Sequence, residues 1–197
     1  MPTVYYVRHG ETDWNAQGRL QGTQDVPLNE VGRRQSAGAG LILAELFARA
    51  GRNAASLQYI ASPLGRACQT MELVRETLNL PRGGYATDPR LREIGYGGWE
   101  GLTLMQARQR DGELFERRLA DKWIVAPPDG ENYVSVQARV GDWYHQLAAD
   151  TVAVAHGGTA RALMVALGFE TAESAADLIV EQGAVYMFGD GVLTKYG

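Results

Sequence analysis

Apolar runs and amphipathic stretches alternate along this chain. Val4-Tyr5-Tyr6-Val7 is a short β-prone run, Leu57-Gln58-Tyr59-Ile60-Ala61 a second, cut off by Ser62-Pro63, and Thr151-Val152-Ala153-Val154-Ala155 a third. Between them the period changes to that of a helix. Asn29 can cap a helix through Val31, Leu41, Leu43 and Leu46 towards Ala50-Gly51; the glycines and alanines of its first half make it lean on tertiary packing. Met71, Val74 and Leu78 predict a helix from Leu64 that ends before Pro81. Val136, Val140, Trp143 and Leu147 predict another over Tyr133–Ala148, and Leu163 and Leu167 one from about Thr159. The stretch Thr103–Leu119 is polar, with sparse apolar positions at Leu104, Ala107, Leu114 and Leu119, and reads as a lid or flanking helix. The chain closes on Ala184–Phe188, Gly189-Asp190-Gly191 and Val192–Tyr196, a hairpin signature. Strands alternating with helices imply an α/β fold with a mainly parallel sheet, to which the hairpin adds antiparallel pairing.

Composition narrows the function classes. The 197 residues suit one domain, 1–197, and 45% apolar with 21% charged residues is the balance of a globular protein. A net charge of −4 argues against nucleic acid as a partner. Nothing in the sequence is long and apolar enough to suggest a membrane partner, and Arg8 interrupts the first apolar run too early for a signal peptide. A single cysteine, Cys68, permits no internal disulfide and points to a reducing cytoplasm; its neighbours Ala67 and Met71 predict a buried structural thiol. Histidines at 9, 145 and 156 make no zinc pattern, so no metal is expected, and His145 reads as a surface residue.

The candidate chemistry gathers at strand ends, where open α/β sheets bind ligands. Arg8-His9-Gly10 follows the first strand and His156-Gly157-Gly158 the third, so both buried-strand ends deliver a histidine and then a glycine. Arg66 falls in the first turn of a helix, a place disfavoured for a cation unless an anion is near. Glu93 stands at the mouth of the glycine-dense Gly95–Gly101 and is a candidate general acid. Two arginines and two histidines suit a dianionic phosphate group, and a glutamate beside them can protonate a leaving oxygen.

RHGETDWN at 8–15, SPLGRACQT at 62–70, LREIGYGGWEG at 91–101 and VAHGG at 154–158 together resemble the histidine phosphatase superfamily. The branch is the one that holds cofactor-dependent phosphoglycerate mutases and bacterial phosphatases such as α-ribazole phosphatase. The resemblance implies a three-layer α/β/α sandwich with a mixed sheet. It implies that His9 attacks phosphorus and becomes phosphohistidine, that Arg8, Arg66 and His156 hold the phosphate oxygens, and that Glu93 is the proton donor. It further implies that Thr12, Asn15, Gln21, Gly22 and Gly157 line the phosphate site and that Tyr96 contacts substrate.

Phosphatase and mutase differ outside that core. Mutases of the family resemble this chain there but carry a lysine shortly after the glutamate loop, where this chain has Leu104, and paired arginines before a double proline. Here that pair falls on Ala120-Asp121, with Arg117-Arg118 close by. The expected function is therefore metal-independent hydrolysis of a small phosphorylated metabolite, with no cofactor. The alternatives are a mutase primed by 2,3-bisphosphoglycerate and a catalytically silent phosphoester-binding module. Trp99, Phe115 and Trp123 are candidates for an apolar wall beside a bulky leaving group, and the resemblance leaves monomer and homodimer open.

Overall fold

The computed structural model describes residues 2–197. In chain order it forms β1 (Val4–Arg8), the single turn α1 (Asp13–Ala16), α2 (Glu30–Arg49), β2 (Gln58–Ala61), α3 (Gly65–Thr77) and the edge strand β3 (Ala86–Thr87). Then come α4 (Leu104–Arg110), α5 (Gly112–Ala120), α6 (Tyr133–His145), β4 (Thr151–Ala155), α7 (Gly157–Ala166), α8 (Ala172–Ala176), β5 (Val185–Gly189) and β6 (Val192–Tyr196). The sheet order is β3-β2-β4-β1-β5-β6. From β3 to β1 the strands are parallel, and the terminal hairpin joins β1 antiparallel through β5. Asp190 and Gly191 both take positive φ in its turn, the backbone that an Asp-Gly pair supplies most readily.

Each strand face has its own core, which is why β1 and β4 read as unbroken apolar runs. Tyr6, Ala153 and Ala155 point towards α6 and α7, packed with Trp143, Val140 and Leu163. Tyr5, Val7, Val152 and Val154 point the other way, against Leu43 and Phe47 of α2 and Met71 and Val74 of α3. The result is the three-layer α/β/α sandwich with a mixed, mainly parallel sheet. Among the described residues no helix is long and apolar enough to cross a membrane.

Several elements depart from the sequence reading. Asn29 does cap α2, accepting from the Gly32 N–H at 2.9 Å, but Val31 and Leu41 are exposed. The buried face of α2 is Gly32, Ser36, Ala39, Gly40, Leu43 and Phe47, with glycine at position 40 where Thr77 of α3 leaves no room for a side chain. A β-carbon on Gly40 would lie 2.7 Å from that of Thr77. The 103–119 stretch is two short helices, α4 and α5, each ended within a few residues by Asp111 and Asp121. Neither α8 nor β3 was visible in the apolar pattern. Cys68 is only half buried; its thiol points to the Ser62 carbonyl at 3.4 Å, and burial raises its pKa, which lowers its reactivity. His145 is exposed at the end of α6, as expected of a surface residue.

Candidate active site

The two central strands β1 and β4 are in register, Arg8 beside Ala155, so the residues just beyond them, His9 and His156, emerge side by side. Their rings lie 5.1 Å apart, centre to centre. Tyr6 holds this junction: its hydroxyl donates to the His156 carbonyl at 2.7 Å and accepts from the His156 N–H at 3.0 Å.

His9 is 2% exposed, and its protonation state follows from its neighbours. Burial, then Arg66 and Arg8, hold its pKa well below the ordinary 6.5, so the ring is neutral at pH 7. Nδ1 faces the Gly10 carbonyl at 2.7 Å, which requires the proton on Nδ1. Nε2 therefore carries the lone pair, with Arg66 Nε donating towards it at 3.3 Å. A neutral imidazole with an orientated Nε2 lone pair has the form that a nucleophile requires.

Arg66 is fully buried and fixed by carbonyls: Nη1 donates to Gln24 at 2.7 Å and Nη2 to Gly22 at 2.8 Å. The anion anticipated at the start of α3 is a protein carboxylate, since Asp25 Oδ1 accepts from the Gly65 N–H at 2.8 Å. The arginine's own nitrogens, not the helix terminus, thus face the ligand side. Arg8 Nη1 donates to the Val180 carbonyl at 2.6 Å, while its buried Nε has no partner.

His156 is fully buried behind His9, its pKa depressed by burial, then by Arg66 and His9. Nε2 lies 2.7 Å from Ser62 Oγ, and Nδ1 is unpartnered. The Ser62 hydroxyl proton has no other acceptor among the described residues, so it points to Nε2 and leaves Nδ1 as an N–H donor. Two buried donors without acceptors, Arg8 Nε and His156 Nδ1, each cost about 1–3 kcal/mol unless an oxygen meets them. Ser62→Ala is accordingly expected to weaken inorganic phosphate binding about tenfold, the cost of losing one oriented donor, while Ser62→Thr restores most of it. Calorimetric titration checks this, and unchanged affinity would assign His156 no part in holding phosphate.

Glu93 completes the cluster from the far side. Its Oε1 accepts from the Ile94 N–H at 3.0 Å and its Oε2 from the Gly158 N–H at 3.3 Å, at the start of α7. Of the paired glycines after His156 the second is the one needed here: a β-carbon on Gly158 would lie 2.4 Å from Glu93 Oε1, whereas one on Gly157 would meet Arg8 Nε at 3.4 Å, an ordinary contact. Arg139, itself paired with Glu131 at 3.1 Å, holds the Glu93 carbonyl at 3.3 Å, and Glu131 accepts from the Gly95 N–H.

These groups enclose a cavity of about 190 Å³. Of the residues named from sequence, Arg8, His9, Asn15, Gln21, Gly22, Arg66, Glu93, Tyr96 and Gly157 line it. Thr12 and His156 do not: Thr12 is fully buried as the N-cap of α1, in a reciprocal cap with Asn15, and His156 is fully buried beside His9. Asn15 Oδ1 is occupied by the Thr12 N–H and Gln182 Nε2, so its NH₂ end serves the cavity. Sequence reasoning missed Arg19, Leu20, Gly158 and Arg161, which also line it. Arg161 stands one helical turn beyond Gly157, a spacing that puts both on one face of α7. That was the available signal. Trp99 and Phe115 lie together, ring centres 5.8 Å apart, beside the cavity. Trp123 does not join them; it stacks on Tyr133 at 4.6 Å in the core.

Both depressed histidines make stability pH-dependent. With folded pKa values below the unfolded 6.5, the unfolded chain binds protons first as pH falls. Their stabilising contribution is complete above about pH 6.5 and is lost below it, so Tm is expected to fall from pH 7 to pH 5. Replacing both histidines with glutamine should flatten that slope.

Residues 4–189 match the family model of the histidine phosphatase superfamily (branch 1). A 2,3-bisphosphoglycerate-dependent phosphoglycerate mutase of Bartonella henselae is 32% identical over 84% of this chain and 81% of its own. The α-ribazole phosphatase of Shigella flexneri superposes with a TM-score of 0.80 at 26% identity, covering 98% of this chain and 93% of that one. A mycobacterial glucosyl-3-phosphoglycerate phosphatase in complex with VO3 does so with a TM-score of 0.79 at 29% identity, covering 100% and 96%.

Proposed function

Because the chain belongs to the histidine phosphatase superfamily (branch 1), we propose that it hydrolyses phosphomonoesters of small metabolites through a phosphohistidine at His9. The observation that carries the reading is the Nε2 lone pair of a buried neutral imidazole, set with Arg8, Arg66 and Glu93 in the wall of one cavity, the His156 ring 5.1 Å from its own. Nε2 attacks phosphorus as the ester P–O bond breaks, and the Glu93 carboxyl group gives a proton to the leaving oxygen. Arg8, Arg66 and His156 Nδ1–H balance the charge on the three remaining oxygens. Glu93, now a carboxylate, takes a proton from water as it attacks phosphorus; the N–P bond breaks and phosphate leaves. No step calls on a metal or cofactor.

Hydrolysis is favoured over mutase chemistry by what surrounds the cavity. Leu104 is exposed where a mutase of the family has its lysine, and Ala120 and Asp121 are exposed, Asp121 spent on the Trp123 and Ile124 N–H groups. Of Arg117-Arg118, only Arg118 is buried. The mutase reading keeps support from the relatives at about a third identity, and a bisphosphorylated primer would then charge His9. Phosphate release from a panel of phosphomonoesters in chelator-treated buffer, with and without vanadate, tests the proposal. Vanadate-sensitive release is expected. Conversion of 3- to 2-phosphoglycerate that outpaces release, and only with primer present, would replace hydrolysis by the mutase reading.

A further inference from the structure

A second cavity, of about 270 Å³, adjoins the first and shares Leu20, Tyr96 and Arg161 with it as common walls. We propose that it receives the leaving alcohol, and that it selects alcohols with an aromatic or similarly flat apolar body carrying a second anionic group. This rests on the phosphatase reading for its place beside the scissile bond.

The apolar part follows from the walls. Trp99 and Phe115 meet at one side, and Leu104 and Leu119, 58% and 56% exposed, stand at the rim. Exposed leucines at the mouth of a cavity lined by aromatic rings favour an apolar body that covers them.

The anionic part follows from the charges. Arg118, Lys122 and Arg161 line the chamber against one carboxylate, Asp177. Arg118 is 7% exposed, its Nη1 donating to the Val125 carbonyl and its guanidinium carbon 5.9 Å from the centre of the Tyr96 ring. Arg161 donates from Nε to the Leu178 carbonyl and from Nη1 to Tyr133 Oη. Among the described residues, Nη2 of neither arginine has a hydrogen-bond partner. Lys122 pairs with Asp177, whose side chain is 84% exposed, and so open a pair holds its lysine weakly. A substrate anion competes with Asp177 for Lys122 on favourable terms, and the chamber supplies two further forked cations that water does not fully screen.

The test uses non-hydrolysable phosphonates, so that affinity is read without turnover. Methylphosphonate, phenylphosphonate and 4-carboxyphenylphosphonate are titrated calorimetrically into the wild type, Lys122→Gln and Asp177→Asn. Phenylphosphonate is expected to bind at least about fivefold tighter than methylphosphonate, from burial of the ring. The carboxyl group should add at least about a further threefold. Lys122→Gln removes that second gain, and Asp177→Asn, at an exposed position, enlarges it. A phenyl advantage below about fivefold overturns the apolar assignment. A carboxyl gain that is absent, or untouched by both variants, overturns the anionic one. Failure of the phosphatase reading shows separately, as esters that bind in this order and release no phosphate.

Discussion

His9→Ala is expected to lower kcat/KM for every phosphomonoester by at least about 10³-fold and to abolish a phosphoenzyme that the wild type forms. The imidazole has no substitute in reach: the neighbouring histidine, His156, has Nε2 committed to Ser62 and its proton on Nδ1, so neither nitrogen offers a free lone pair. Rapid acid-free quenching with ³²P-labelled ester should trap label on the wild type that is labile to acid and stable to base, as an N–P bond is. The variant should retain phosphate binding, since Arg8 and Arg66 remain. Label retained on His9→Ala would mean that another side chain is the nucleophile and would remove the central step.

The acid limb of the wild-type profile bears on the same residue. A neutral His9 is the reactive form, and its pKa is held well below 6.5 by burial and two guanidinium groups. Its protonation therefore limits kcat/KM only at pH values well under 6.5. Binding a phosphate dianion between Arg8 and Arg66 offsets their repulsion and raises that pKa, so kcat should lose activity at a higher pH than kcat/KM.

How much of this was readable in the chain differs between fold and site. The strand-histidine-glycine units announced both the sheet centre and the pairing of His9 with His156, because a parallel sheet places successive strand ends along one edge. Helix α2 was found through Asn29 and its stop, and Leu43 is buried on it as read, yet Val31 and Leu41 face solvent: much of the buried face is Gly32, Ser36, Ala39 and Gly40, small residues that give little apolar signal. In the site, Arg8, Arg66 and Glu93 were recognisable by charge at strand and helix ends. Thr12 was placed in the phosphate shell by resemblance, and its hydroxyl is spent on the α1 cap. Arg161, Ser62 and Val180 were not found, since their contributions arise from tertiary contacts: a shared wall, a tautomer fixed through Nε2, and a carbonyl that fixes Arg8.

Glu93→Gln separates the two proton transfers assigned to one carboxyl group. The amide keeps one oxygen, for either the Ile94 or the Gly158 N–H group, and gives up the other bond, so the loop and α7 should hold their positions at a cost of about one hydrogen bond. An alkyl phosphate must have its leaving oxygen protonated, and the variant is expected to lose about 10²–10⁴-fold in kcat/KM for such esters. 4-Nitrophenolate leaves without a proton, so transfer from 4-nitrophenyl phosphate to His9 should be nearly spared. The next step is not, because water then lacks its base. The expected record is a burst of one equivalent of nitrophenol per site, followed by slow turnover, with phosphohistidine accumulating during the slow phase. Equal losses for alkyl and nitrophenyl esters, with no burst, would take both proton transfers away from Glu93 and leave it as a residue that shapes the start of α7.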